Sequence, residues 1–176
     1  MKIGFCGSMS VGKTTLVNLL KEIPEFKDYK FATERSKYLR DLGIPLNTDS
    51  TLKGQTIFLA ERCSELINEN IITDRTVLDV IAFTSCANSI STTDKDAFEE
   101  YASNFINEYD WIFYVSPSGI PIEDNGVRTV DSNYRELIDN MIRYLCASNL
   151  DMINNFGIIS GTTEDRIKQI KSYLNL

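Results

Sequence analysis

The segment Gly7-Ser8-Met9-Ser10-Val11-Gly12-Lys13-Thr14 constrains this chain more than any other. It fits G-x-x-x-x-G-K-[ST] at every fixed position. An apolar, strand-like run over residues 2–6 precedes it. Helix-forming sequence follows, with Leu16, Leu19 and Leu20 on one side. Gly7 and Gly12 permit backbone angles that a side chain disfavours. Successive backbone N–H groups can then face one concavity, a nest for phosphate oxygens. The helix behind the loop adds the partial positive charge of its N-terminus. The loop therefore reads as a cradle for a nucleoside triphosphate. Lys13 can reach the β- and γ-phosphates, the Thr14 hydroxyl can hold Mg²⁺, and Thr15 can contact the α-phosphate.

The rest of the chain is patterned to match. Strand-like runs are expected at 2–6, 29–33, 70–73, 111–115 and 157–160. Helical periodicity is expected at 13–22, 35–42, 51–68, 76–87, 131–149 and 164–174, with a further helix ending near 108 after a polar loop at 89–95. Three helices have readable inward faces: Leu59, Ala60, Cys63, Leu66 and Ile67; Phe98, Tyr101, Ala102 and Phe105; Leu137, Ile138, Met141, Ile142 and Leu145. Strands alternating with helices from end to end predict an α/β three-layer domain around a parallel sheet. A length of 176 residues suits one domain, 1–176. No apolar run approaches the ~20 residues that cross a bilayer, so no membrane is expected as a partner.

Composition narrows the chemistry. Histidine is absent, which removes Ser-His-Asp and Cys-His nucleophiles, histidine metal sites and imidazole bases together. Proton transfer is left to carboxylates and lysine. The net charge of −7, from 18 basic and 25 acidic residues, lacks the broad basic footprint of a nucleic-acid binder. The four cysteines, Cys6, Cys63, Cys86 and Cys146, form no CxxC pair and read as small core fillers. They fit a reducing, cytoplasmic compartment, and residues 1–6 show no charged-then-apolar leader pattern.

Several kinds of protein use such a loop. A GTPase needs a guanine-reading N/T-K-x-D motif, which does not occur. Leu52-Lys53-Gly54-Gln55 has Thr51 where a switch aspartate would stand, and it opens a helix. A hexameric motor needs more chain and an apolar strand ending in Asp-Glu, whereas Trp111–Val115 runs into Ser116 and Pro117. A small kinase remains. Glu34, in Ala32-Thr33-Glu34-Arg35 at the end of the second strand, can accept the proton of a hydroxyl attacking the γ-phosphate. Asp74, ending the third strand, can bind Mg²⁺ through water, serve as the base instead, or simply cap the helix from Thr76. Arg75 beside it can hold substrate or phosphate, while Asp79 reads as structural. The Pro- and Gly-containing segment at about 117–135 reads as a lid. Its Arg128 and Arg135 can close over the transferring phosphoryl group.

On these residues the chain resembles the nucleoside- and nucleotide-kinase branch of P-loop kinases. The likeness is above all to ribosylnicotinamide-kinase-like ATPase/kinase domains, then to deoxynucleoside and thymidylate kinases. It rests on the loop, Thr33-Glu34-Arg35, Thr73-Asp74-Arg75, Asp124-Asn125-Gly126-Val127-Arg128 with Arg135, and Ile158 to Arg166. The resemblance implies a five-stranded parallel sheet in the order 2-3-1-4-5, ATP with Mg²⁺, and transfer of the γ-phosphate to a nucleoside or nucleoside monophosphate. It implies Glu34 as base, Gln55 with Phe58 and Leu59 as readers of the nucleobase, and Asp74 and Arg75 as the acid-arginine pair ending strand three. Arg128 and Arg135 fall on the lid arginines, and Gly161, Thr162 and Thr163 on the adenine loop. Asp74-Arg75-Thr76 stands where deoxynucleoside kinases have Glu-Arg-Ser. The short Glu34-Arg35-Ser36 stands where thymidylate kinases have a longer Arg-Glu-Pro segment. The acceptor is therefore open, and Arg35, Arg62 and Arg75 keep a monophosphate among the choices. The expected partner is a small molecule rather than nucleic acid, and a homodimer is compatible with the pattern. Two rivals stand beside this reading: a kinase of nucleic-acid ends or modified bases, and a non-catalytic ATP-binding regulatory module.

Overall fold

Five short strands form one parallel sheet in the order β2-β3-β1-β4-β5. They are β1 (Lys2–Cys6), β2 (Lys30–Ala32), β3 (Ile71–Thr73), β4 (Trp111–Val115) and β5 (Phe156–Ile159). This is the architecture and strand order that the sequence pattern and the resemblance imply. The computed structural model describes residues 1–33, 35–118 and 132–176. Glu34, Arg128 and most of the expected lid lie outside the described residues. Parallel neighbours cannot be joined by a tight turn, so helices carry the crossovers. These are α1 (Lys13–Leu20), α2 (Ser36–Asp41), α3 (Leu52–Glu65), α4 (Val77–Ser85), α5 (Thr92–Ser103), α6 (Ser132–Ser148) and α7 (Thr163–Leu174). No helix among the described residues is long and apolar enough to cross a membrane.

Alternation along the strands builds two cores. Ile3 and Phe5 of β1 and Phe113 and Val115 of β4 face α1 and α7, where they meet Leu16, Val17, Leu20 and Ile170. Cys6, Ile112 and Tyr114 face the other way, onto Leu59, Val77, Ile81, Ile138 and Ile142 from α3, α4 and α6. A sheet buried on both faces requires apolar residues at nearly every strand position, and β1 and β4 supply them.

Helix faces differ from the periodic reading in places. Leu19, Tyr101 and Leu137 are exposed rather than inward, because each helix is rotated by about one position from the stripe chosen. The buried set in α1 is Leu16, Val17 and Leu20; in α6 it includes Tyr134, Ile138, Ile142 and Leu145. In α3 the buried line is Gln55, Leu59 and Arg62, continued by Leu66, while Ala60 and Ile67 face solvent. An apolar count misses this face because half its members are polar. Residues 92–95 belong to α5, not to a loop, since Ser91 caps the helix by accepting from the Asp94 N–H. Cys6, Cys86 and Cys146 are buried and Cys63 is partly so; all are free thiols.

Candidate active site

The glycine loop leaves the carboxyl end of β1 in the centre of the sheet, where parallel α/β folds bind ligands. Gly7 has φ +151°, and a Cβ there would lie 2.8 Å from the Val115 carbonyl oxygen. Gly12 has φ +83° and precedes α1. Ser10 also adopts a left-handed conformation, φ 58°, an uncommon choice for a residue with a side chain. Met9 and Val11 are buried in opposite cores. Their side chains anchor the loop to both faces of the sheet, so any part they play toward phosphate is through backbone.

Lys13 opens α1 and is almost fully buried. Its ammonium donates to the Gly7 carbonyl at 2.5 Å and the Ser8 carbonyl at 2.8 Å. It also lies 3.9 Å from Asp79 Oδ1. Thr14, next along, donates its hydroxyl to Asp74 Oδ2. Asp74 is 1% exposed. Its N–H bonds to the Ala32 carbonyl at 2.9 Å, which fixes it beside the end of β2, the strand that leads to Glu34.

The capping role open to Asp74 belongs instead to Thr76. Thr76 accepts from the Leu78 N–H, and Asp79 Oδ2 accepts from the Thr76 N–H at 2.8 Å and its hydroxyl at 3.0 Å. Asp79 is fully buried, and its second oxygen accepts the Gly7 N–H at 3.2 Å. The residue read as structural thus ties α4 to the phosphate loop. Arg75 is also buried, 4.9 Å from the Phe83 ring centre and 3.9 Å from Asp79 Oδ1.

Beside α4, α3 presents the buried Gln55, with Phe58 packed against the core. Gln55, which the resemblance implies as a reader of the nucleobase, is buried on this face. Two turns on, Arg62 is 2% exposed and donates to Glu65 at 2.6 Å. Burial pushes the Glu65 carboxyl up to about 7, against the pull of Arg62, with Glu61 and Asp74 adding to the rise. Glu61 meets Arg35 at 3.3 Å, and Arg35 stacks on the Tyr38 ring at 4.5 Å. Arg35 is exposed, so this pair adds little stability, but it ties the chain just after Glu34 to α3. The Arg62–Glu65 pair was not found from sequence, because isolated charges in a helix read as a solvated face.

Two further contacts hold the loop from the β4 and β5 side. Ser8 donates to Asp139 of α6 at 3.2 Å, and Tyr114 donates to the other Asp139 oxygen at 2.8 Å. Arg135, one turn before Asp139, is largely buried; burial lowers its pKa, and the charge of Asp139 opposes that fall. Arg166 of α7 donates to the Val11 carbonyl at 2.6 Å and the Ser116 carbonyl at 3.2 Å. Gly161, φ +88°, leads into α7, where Thr162 forms a capping box with Asp165. Gly161, Thr162 and Thr15 are exposed, and Thr163 is partly so. Arg166 stands one turn after Thr162, and its fixed position there was its only signal in the sequence.

The oxygens of Thr14 and Asp74 suit a hard cation such as Mg²⁺, which takes one or two carboxylates together with water and phosphate oxygens. Among the described residues no group of three or more His, Cys, Asp or Glu converges, so an all-protein cage of that kind is not formed by them.

A family model described as an AAA domain matches residues 2–166. A search of curated proteins finds no match. Among solved structures, deoxyadenosine kinase from M. mycoides with bound dCTP is similar with a TM-score of 0.71 at 20% identity, over 99% of both chains. The same enzyme with bound dATP gives 0.67 at 20% identity over 100% of both chains. NadR protein in complex with NR gives 0.74 at 16% identity, over 99% of this chain and 51% of that one. Identities this low establish the shared P-loop kinase fold and leave activity to be argued from the site.

Proposed function

The chain belongs to the family described as an AAA domain, and from that premise we propose that it is an ATP-dependent kinase that transfers the γ-phosphate to a nucleoside or nucleoside monophosphate. The observation that carries this reading is the Thr14–Asp74 hydrogen bond, which joins the phosphate loop to the end of β3. It sets oxygen donors for a metal beside Lys13, at the carboxyl ends of the strands, and the sequence runs from β2 into Glu34. The kinase neighbours support it, as does a β4 followed by Ser116 and Pro117 rather than ending in a motor-type Asp-Glu.

In this reading the triphosphate lies along the glycine loop, with the adenine near Gly161, Thr162 and Thr163. Lys13 exchanges the Gly7 and Ser8 carbonyls for β- and γ-phosphate oxygens. Thr14 and Asp74 would hold Mg²⁺, which would supply positive charge toward the phosphates. The acceptor lies between the ends of β2 and β3 and α3, its base against Gln55 and Phe58, with Arg35 and Arg75 at its polar end. Glu34 takes the acceptor hydroxyl's proton as that oxygen bonds to the γ-phosphorus and the bond to the β–γ bridging oxygen breaks. Arg128 and Arg135 neutralise charge on the transferring group. No imidazole is required. The absence of exposed catalytic thiols and the free cysteines suit a cytoplasmic enzyme.

Glu34→Gln tests the reading. Turnover of a nucleoside acceptor should fall by about 100-fold while ATP binding holds within twofold. Unchanged, absent turnover in wild type and variant alike would instead mark an ATP-binding regulatory module. Acceptor affinity that weakens steeply with salt would mark a nucleic-acid substrate.

A further inference from the structure

Asp139 is a buried carboxylate on the helix that follows the lid segment, and nothing in the expected chemistry calls for it. Its two oxygens are divided between different parts of the molecule. One accepts from Ser8, a fully buried residue of the phosphate loop 131 positions away; the other accepts from Tyr114, the penultimate residue of β4. Four residues before it on α6 stands Arg135, and the charge of Asp139 counteracts the loss of basicity that burial imposes on that guanidinium. Removing a carboxylate from water is costly unless its oxygens are met, and here they are met by the loop and the sheet, with Arg135 one helical turn away.

We propose that Asp139 is a positioning residue that couples α6 to the phosphate loop, so that Ser8 and Arg135 are set by one group. A shift of Ser8 disturbs the carboxylate, and that carboxylate stands one helical turn from Arg135, whose basicity its charge supports. Nucleotide phosphates seated on the loop therefore tighten α6, and the arginine is held ready for the phosphoryl group. The catalytic half of this statement rests on the kinase reading above; the coupling of loop to helix does not.

Asp139→Asn keeps the shape and removes the charge. With ADP or a non-hydrolysable ATP analogue as the probe, wild-type α6 amides should exchange at least about fivefold more slowly than without nucleotide, and the variant's α6 should show no such response. Protection of α6 that persists in the variant, or is missing from wild type, overturns the coupling. If Asp139→Asn does not fold, Ser8→Ala asks the same question from the loop side: loss of α6 protection supports the coupling and its retention overturns it. Tyr114→Phe separates a merely structural carboxylate, since it removes the other buried bond and should leave α6 protection in place; loss of protection in Tyr114→Phe equal to that in Asp139→Asn would refute the assignment.

In phosphoryl transfer, Asp139→Asn should lower kcat about tenfold with the acceptor KM within twofold, because misaimed charge is felt in the transition state. In an Arg135→Ala background it should lower kcat no further. Independent losses that multiply would contradict the shared role of the two side chains. Failure of every acceptor with α6 protection behaving as stated would reject the kinase reading and leave the coupling standing.

Discussion

At the scale of single residues, the sequence told which side chains carry charge to the loop but not which buried partners fix them. Lys13 and Thr14 are legible because the motif gives each a place. Lys13→Ala should cut labelled-phosphate transfer by at least about 100-fold; full activity in that variant would remove the loop from the mechanism. Glu65 was not legible, since its burial depends on how α3 is rotated. Its carboxyl stands near 7 in the fold against an ordinary value near 4.5. Between those values the folded protein holds a proton that the unfolded chain has released. This contribution is therefore fully present below the lower value and is lost as pH rises through about 7. Glu65→Gln should flatten that fall by about 2 kcal/mol, allowing for partial solvent screening. Denaturant melts at pH 5 and pH 7.5 read the effect, and equal slopes in both proteins would show that Glu65 is not the group responsible.

At the scale of elements, strand and helix order was legible because buried parallel strands must be apolar and their crossovers must be helices. β1 and β4 agree with their sequence limits to the residue. Helix faces were less legible: α3 turns Gln55 and Arg62 inward, and a rule based on apolar stripes passes over polar residues on a buried face. The links between elements were not legible at all, because Asp79, Asp139 and Arg166 act across long sequence separations. Arg166 reaches from α7 to the Val11 and Ser116 carbonyls with two different nitrogens. Lysine keeps the charge but not the planar fork. Arg166→Lys should weaken nucleotide binding about tenfold in a fluorescent-nucleotide titration by loosening the loop. Asp79→Asn leaves donors of the α4 cap and of Gly7 short of acceptors and should lower stability by about 1–2 kcal/mol in equilibrium melts. Wild-type affinity in the first variant, or wild-type stability in the second, would show that these clamps are dispensable.

At the scale of the whole molecule, the acidic balance and the absent histidine acquire a common meaning. The chain is negative overall, yet Lys13, Arg75, Arg135 and Arg166 are buried around one end of the sheet, where the proposed polyphosphate would bring the opposite charge. That arrangement favours a small anionic ligand over a long polyanion, so acceptor affinity should change less than threefold between 50 and 200 mM salt, whereas six to ten phosphate contacts would cost about 10³-fold or more. The parallel sheet was legible from the alternation of elements, and its strand order from the resemblance to P-loop kinases. The acceptor was not, because the site proposed for it draws on α3, Arg35 and the ends of two strands, which no single motif spells out. The most direct measurement is transfer from γ-labelled ATP across a panel of nucleosides and nucleoside monophosphates. Label should appear in one class of acceptor, in step with ADP release; label that appears only as inorganic phosphate, at the same rate with and without every acceptor, would contradict the assignment of this chain as a small-molecule kinase.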